Sequence, residues 1–454
     1  MWSKLHTAAF RAVDIAPLVS LRVLFGLAML LASVRFWAKG WIDQLYISPQ
    51  YHFTYFGFDW VKVPPGDTLY WMYGTMAMAA LFMAIGLLYR ASALTFFLVF
   101  TYVELIDVTT YLNHYYFISL ASFLMIMVPA NRALSVDCII WPSIRAVQVP
   151  AWCAGIFKLQ LGIVYFFAGL AKLSPDWMLR AQPLSIWLPP RAGMPIIGWA
   201  LKYKASAYLF SWAGAIYDLL VPFLLYRKGT VLIAYAAVVG FHLVTGALFP
   251  IGVFPMVMIL LTTVFFPAGW HNRFWGRLFP SFINPNNDNA QAMPSSPKEI
   301  GRTIWNHVTL VLLTLYFAIQ VMMPMRHMIY SGNLFWHEQG FRFSWRVMLM
   351  EKEGLALFTV KDPETGRTWE VNNRQYLTPV QEKFMATQPD LILQFARIIE
   401  DKFRMEGVND PVVTADVQVT LNGRRSRPYV RPDVDLTEIE DGWGERWWLM
   451  PWYD

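Results

Sequence analysis

The chain is short of charge and almost without cysteine. Only 15% of its 454 residues are Asp, Glu, Lys or Arg, whereas 56% are hydrophobic and the mean hydropathy is +0.37. That balance excludes an ordinary soluble domain, and the apolar residues fall in long runs rather than in alternation. Cys138 and Cys153 are the only cysteines. Both fall on the inner side of the topology read below, so they are expected as reduced thiols, and no disulfide framework is available. Also missing are H-E-x-x-H, paired C-x-x-C, G-x-x-x-x-G-K and a strand-linked G-x-G-x-x-G. The eight histidines are too scattered for a metal site, so no metal is expected. The net charge of +6 is mostly explained by basic inward loops, which argues against a nucleic-acid partner. There are no internal repeats and no heptads.

What the chain does have is membrane-length apolar segments. About nine are read, over 15–38, 68–89, 92–112, 114–130, 151–173, 205–226, 230–249, 250–267 and 303–323. The basic N-terminus precedes a long segment without a small-residue cleavage site, so the first helix is expected to be retained. With the N-terminus inside, Arg90, Arg132, Arg145, Arg227, Lys228, Arg273, Arg277, Lys298 and Arg302 all fall on inward loops, as the positive-inside bias requires. The loop 173–204 departs from it, and an odd number of spans places the C-terminal third outside. A Pro- and Asn-rich linker runs over 281–299. From 324 the pattern changes. "RFSWRVMLM", "GLALFTVKD" and "RTWEVNN" read as strands, and "DLILQFARIIEDKFR" reads as a helix with Leu391, Phe395, Ile398 and Ile399 on one face. "VVTADVQVTL" then runs into an Asn-Gly hairpin turn. The fold class is thus a multi-pass α-helical membrane protein, 1–323, followed by a β-rich α+β extracytoplasmic domain, 324–454.

Charges within membrane segments are costly and tend to face a cavity or one another. Here they are Glu104, Asp107, His114, Lys158, Lys172, Asp218 and His242. Singly, each has a plain structural account: Lys172 and Lys158 as interfacial snorkellers, Asp218 and Glu104 as helix contacts, His242 as a packed imidazole. Together they converge. The third, fifth and seventh segments run outward, delivering His114, Lys172 and His242 to one leaflet. Asp107 and His114, seven residues apart, share a face if their helix continues that far. A lysine in apolar surroundings can act as a general base, with a histidine accepting its hydrogen bond or its proton.

Several stretches carry a resemblance in the same order along nearly the whole chain. "YFFAGLAKLSPDW" (165–177), "LIDVTTYLNHYYF" (105–117), "GFHLVTGALFPIGVFPMVM" (240–258) and "FRFSWRVML" (341–349) resemble motifs of vitamin K-dependent γ-glutamyl carboxylases. The loop "WIDQLYISPQYHFTYFGFDWVKVPP" is similar to the first outer loop of bacterial relatives with the horizontally transferred transmembrane domain. The resemblance implies an enzyme that couples oxidation of reduced vitamin K by oxygen, to the epoxide, with addition of carbon dioxide to a peptide glutamate. It places the catalytic lysine at Lys172 with His114, and quinone-contacting residues at Asn113, His242 and Asp107; Asp218, a carboxylate within a span, is expected beside them as a further cofactor contact. Phe343, Trp345 and Arg346 fall in its peptide-binding region. A glutamate-containing peptide, membrane lipid and an isoprenoid quinone are the implied partners, and the bacterial inner membrane, with the C-terminal domain outside, is the implied location. Ala171 and Phe343 depart from the family's usual lysine and tyrosine. Two other readings stand beside this one. One is a non-carboxylating homologue, either a quinol epoxidase or a membrane binding scaffold. The other is a transporter relaying protons through Asp107, Asp218 and His242, which the lack of internal symmetry disfavours.

Overall fold

The computed structural model describes residues 2–280 and 299–453. The linker expected over 281–299 lies outside the described residues, except for Glu299, where the last long helix begins. The membrane part is built from α1 (Ala16–Ala38), α2 (Thr68–Ile85), α3 (Tyr89–Glu104), α4 (Asn113–Met127), α5 (Trp152–Ala171), the short α6 (Pro175–Arg180), α7 (Lys204–Tyr226), α8 (Val231–Leu248), α9 (Phe254–Thr262), α10 (Ala268–Leu278) and α11 (Glu299–Met325). Strand β1 (Ala12–Asp14) pairs antiparallel with β2 (Gln148–Pro150), tying the start of α1 to the start of α5. Helix α7 shows why these segments need lipid. Leu209, Trp212, Ile216, Leu220 and Phe223 form an exposed apolar stripe at helical spacing, which water would not tolerate.

Among the described residues six helices are long and apolar enough to cross a membrane, or seven if Phe254–Phe265 and Ala268–Leu278, bent by 111°, count as one span. The protein is therefore an integral membrane protein, but the expected count of about nine is not confirmed. Helices α3 and α4 have 16 and 15 residues. At 1.5 Å per residue they reach only about 22–24 Å, short of a hydrocarbon core about 30 Å thick. The break between them has a local cause. The Asp107 carboxylate accepts the Thr109 N–H at 2.8 Å and the Thr109 hydroxyl at 2.7 Å, capping a 3-10 turn over Val108–Thr110. Asp107 and His114 consequently lie on different elements and share no helical face. An odd count of nine cannot be used to assign the side of the C-terminal third.

The C-terminal third holds one antiparallel sheet made of β3 (Lys352–Lys361), β4 (Thr368–Val371), β5 (Val412–Leu421) and β6 (Arg427–Pro428), in the order β4-β3-β5-β6. Val413, Ala415, Val417, Val419 and Leu421 alternate inward on β5, as a half-buried strand should. Helices α12 (Pro379–Met385) and α13 (Pro389–Met405) cover the inner face, with Phe395 edge-on to Phe358 at 5.0 Å between centroids. The Asn-Gly turn forms as expected, with φ of 49° at Asn422 and 74° at Gly423. The strand expected over "RFSWRVMLM" does not form. Phe343, Trp345 and Met348 have φ of 59°, 60° and 57°, and these left-handed residues turn the chain back on itself instead of extending it. The apolar core under the sheet continues into Phe53 and Tyr55 of the first loop, then into Trp177, Leu184 and Leu201 of the loop between α5 and α7.

The turning loop is anchored by charge. Arg342 Nη1 meets Asp390 Oδ2 at 2.5 Å, and its Nη2 also donates to Gln388 Oε1. Burial, the largest single influence, would raise the Asp390 carboxyl, but the charges of Arg342 and Arg446 and the hydrogen bonds it accepts together outweigh it and hold the carboxyl below its ordinary range. Asp390→Asn leaves the arginine uncompensated and is expected to cost about 2 kcal/mol, less than a fully dry pair. Because the folded value is depressed, the stability difference between wild type and variant should be fully present above about pH 4 and vanish as pH falls through the lowered value. Thermal unfolding in detergent across that range checks the sign.

Candidate active site

The site begins with a missing side chain. A Cβ on Gly169 would lie 2.8 Å from the Leu219 nitrogen and 3.0 Å from the Asp218 carbonyl carbon. Helices α5 and α7 therefore meet backbone to backbone at that level, as small residues permit in membranes. One turn later Lys172, the C-cap of α5, reaches across the junction. Its Nζ donates to Asp218 Oδ2 at 2.6 Å and to the Ala168 carbonyl at 3.4 Å. The side chains are only 7% and 6% exposed. A snorkelling lysine extends its ammonium toward water; this one is turned inward onto a carboxylate. The Trp177 ring lies 5.4 Å from Nζ, and its Nε1 donates to the Ser211 carbonyl at 2.7 Å.

Lys172 and Asp218 line a cavity of about 90 Å³ with His242, Tyr165 and a mainly aromatic and aliphatic wall. His242 is 1% exposed. Its Nε2 lies 3.2 Å from the Tyr165 hydroxyl, while Nδ1 has no hydrogen-bond partner. A buried ring nitrogen left unpaired in an apolar chamber is expensive, which makes it a natural contact for a polar ligand group. Val347 and Met348 of the turning loop close part of the wall.

His114, buried in the first turn of α4, is near this cluster but does not line the cavity. The Phe254 ring contacts both imidazoles, with centroids 5.6 Å from His114 and 5.5 Å from His242. Asn113 faces the turning loop: the Phe343 N–H donates to the Tyr111 hydroxyl at 2.7 Å, which donates to Asn113 Oδ1 at 3.0 Å, and Asn113 Nδ2 donates to the Arg346 carbonyl at 3.3 Å. Trp345 is fully buried, stacked on Tyr116 at 5.1 Å. The Arg346 guanidinium lies 3.0 Å from His327 Nε2. Asp107 is outside the cavity and serves a different junction. Besides its cap it lies 3.1 Å from His52 Nδ1 and accepts Gln381 Nε2 at 3.0 Å, pinning the first loop and α12 to the membrane part.

The structure thus brings Lys172, Asp218 and His242 around one space, sets His114 against Phe254, and separates Asp107 from all of them. Sequence reading missed Tyr165, Trp177 and Phe254. Tyr165 had a signal, lying seven residues before Lys172 on α5, close to the same face. Phe254 had none, since only packing puts it against two histidines.

Comparison with known families falls on both halves. A family model described as HTTM domain matches residues 10–270, and one described as vitamin K-dependent gamma-carboxylase, lumenal domain, matches residues 305–454. The chain belongs to the vitamin K-dependent gamma-carboxylase family. No solved structure matches it. Within this carboxylase-family chain, the two matched regions are the ones whose residues meet at the cavity, since Lys172, Asp218 and His242 come from the first, and Val347 and Met348 from the second.

Gly169 is the most exacting position. Gly169→Ala inserts a methyl where backbone atoms already stand, so α5 and α7 must part. The variant is expected to lose about 1–3 kcal/mol of stability, and to lengthen the Lys172–Asp218 pair. Thermal unfolding in detergent provides the check, and a wild-type midpoint would mean the helices do not touch there.

Proposed function

We propose that this protein is a vitamin K-dependent γ-glutamyl carboxylase, an integral enzyme of the bacterial inner membrane whose C-terminal third faces away from the cytoplasm. The observation that supports it most is the buried Lys172–Asp218 pair on the wall of an apolar cavity that His242, with an unpartnered ring nitrogen, also lines. These residues fit a hydroquinone head group, a flat apolar ring with a hydroxyl at each end. Lys172 would hold one hydroxyl and His242 Nδ1 the other. Reduced vitamin K, when bound, supplies with oxygen the base strength needed to remove a glutamate γ-proton, so that carbon dioxide can add to the peptide and the epoxide leave.

The chain's own residues have definable tasks. The Lys172 amine would take up a hydroquinone proton, and the Asp218 carboxylate 2.6 Å away would compensate the ammonium so formed. Tyr165 holds the His242 ring, leaving Nδ1 turned to the ligand. His114 acts at one remove, through Phe254, as part of the packing that fixes His242. The apolar wall, closed in part by Val347 and Met348, keeps water from a strong base. The glutamyl peptide, being polar, approaches from the side of the C-terminal third, past the loop that carries Phe343, Trp345 and Arg346. The lumenal-domain match and the basic inward loops support that orientation.

Purified protein supplied with reduced vitamin K, a glutamyl peptide and labelled bicarbonate should yield both epoxide and labelled peptide. Epoxide without label would instead identify a quinol epoxidase. Lys172→Ala and Lys172→Arg should each lower epoxide formation by about 10²–10⁴-fold, because arginine stays protonated and cannot accept the proton. Wild-type epoxidation by Lys172→Arg would refute the assignment. His114→Ala should give a smaller, partial loss.

Orientation has its own test. A protease site or reporter at residue 400 should be reached from outside the cytoplasm in intact cells, and labelling from the cytoplasmic side would overturn the topology.

A further inference from the structure

Lys172 is followed, four residues later, by a carboxylate that accepts four hydrogen bonds. Asp176, 7% exposed at the start of α6, accepts Arg424 Nη2 at 2.6 Å and Nη1 at 2.9 Å, Asn422 Nδ2 at 2.8 Å, and Arg180 Nη1 at 3.2 Å. Arg424 and Asn422 belong to the hairpin turn between β5 and β6, so the contact joins the end of a membrane helix to the C-terminal sheet. The turn is itself fixed. Asn422 Oδ1 accepts the Glu351 N–H at 2.8 Å, Glu351 Oε2 accepts Trp187 Nε1 at 2.5 Å, and the Arg424 guanidinium lies 5.2 Å from the centre of the Trp452 ring. Next to Asp176 stands Trp177, whose ring faces the Lys172 ammonium at 5.4 Å. Ser211 of α7 grips Trp177 twice, at 2.7 Å through the indole and at 2.5 Å through the carbonyl. Helix α6 is thus clamped between α7 at Trp177 and the outer hairpin at Asp176.

We propose that Asp176 is a positioning residue for Lys172, held by Arg424 and Asn422, so that the hairpin of the C-terminal sheet sets the geometry of the amine through Trp177. The proposal rests on the reading of Lys172 as the base. A bidentate arginine–carboxylate pair fixes direction as well as distance, and a partly buried pair contributes little net stability compared with an apolar contact of the same size. Its value here is definition. Only Leu173, Ser174 and Pro175 separate Lys172 from Asp176. Releasing Asp176 frees α6 to tilt, moves the indole off the ammonium, and loosens an amine that must meet its substrate within a fraction of an ångström.

The test uses the full-length protein in lipid with two readouts. One is the rate at which acetic anhydride modifies Lys172, followed by mass spectrometry and compared with exposed Lys383. The other is steady-state conversion of reduced vitamin K to epoxide. Asp176→Asn and Arg424→Gln should each speed Lys172 acetylation severalfold and lower kcat about tenfold, with KM for the quinol little changed. The double variant should lose no more than either single one, since both break the same link. Arg374→Gln, which breaks an exposed pair with Glu382 at 3.0 Å, should change neither readout. Unchanged Lys172 labelling in both single variants would overturn the positioning role, whatever happens to turnover. Faster labelling with turnover unchanged would uphold the clamp and overturn Lys172 as the base. Arg424→Gln, lying in the outer hairpin, keeps the test decisive if Asp176→Asn fails to fold.

Discussion

The contact of α5 with α7 at Gly169 is the constraint on which the site depends. Any larger residue would hold the two backbones apart by at least a methyl group, and Lys172 would no longer reach Asp218 at 2.6 Å. Without the carboxylate, a lysine buried at this depth would have either to stretch toward water or to lose its proton permanently. With it, the amine is kept inside, beside an apolar cavity, with an opposite charge 2.6 Å away. Helix packing therefore sets the geometry of the pair.

The second requirement is a cover over the helix ends, and the C-terminal third supplies it through polar links of unusual density. Arg342 binds Asp390, Asn113 and Tyr111 hold the backbone of the turning loop, Asp107 reaches Gln381, and Asp176 receives Arg424 and Asn422. Each of these joins a residue of the membrane part or the turning loop to a distant element. The left-handed residues Phe343, Trp345 and Met348 make the loop compact enough for Val347 and Met348 to reach the cavity wall. A regular strand there would have carried the chain past the opening. Local conformation, at three residues that seldom adopt it, was traded for closure.

The roles of the acidic residues divide accordingly. Asp218 faces the amine, whereas Asp107 and Asp176 fasten the two halves together. In sequence all three look alike, as carboxylates at or near the ends of apolar segments. What separates them is the number and kind of donors around each. A carboxylate with three or four fixed donors is committed to structure, and one whose partner is a single amine at the edge of a cavity is available for chemistry.

Much was legible before folding. Long apolar runs marked an integral membrane protein, alternation and an Asn-Gly pair marked the sheet, and Lys172, Asp218 and His242 stood out as ionisable residues within apolar segments. Those features follow from local rules of hydropathy and period, which a chain carries in any context. The tertiary structure decided the rest. It ended α3 at Glu104 because Asp107 prefers to cap a turn, and so lowered the number of full spans. It turned "FRFSWRVML" into a loop through left-handed residues that no pattern announced. It also chose Asp218, 46 residues away, as the partner of Lys172. Partner choice depends on which helices touch and at what depth, and that is set by the shape of packed surfaces, here by the absence of one methyl group at Gly169.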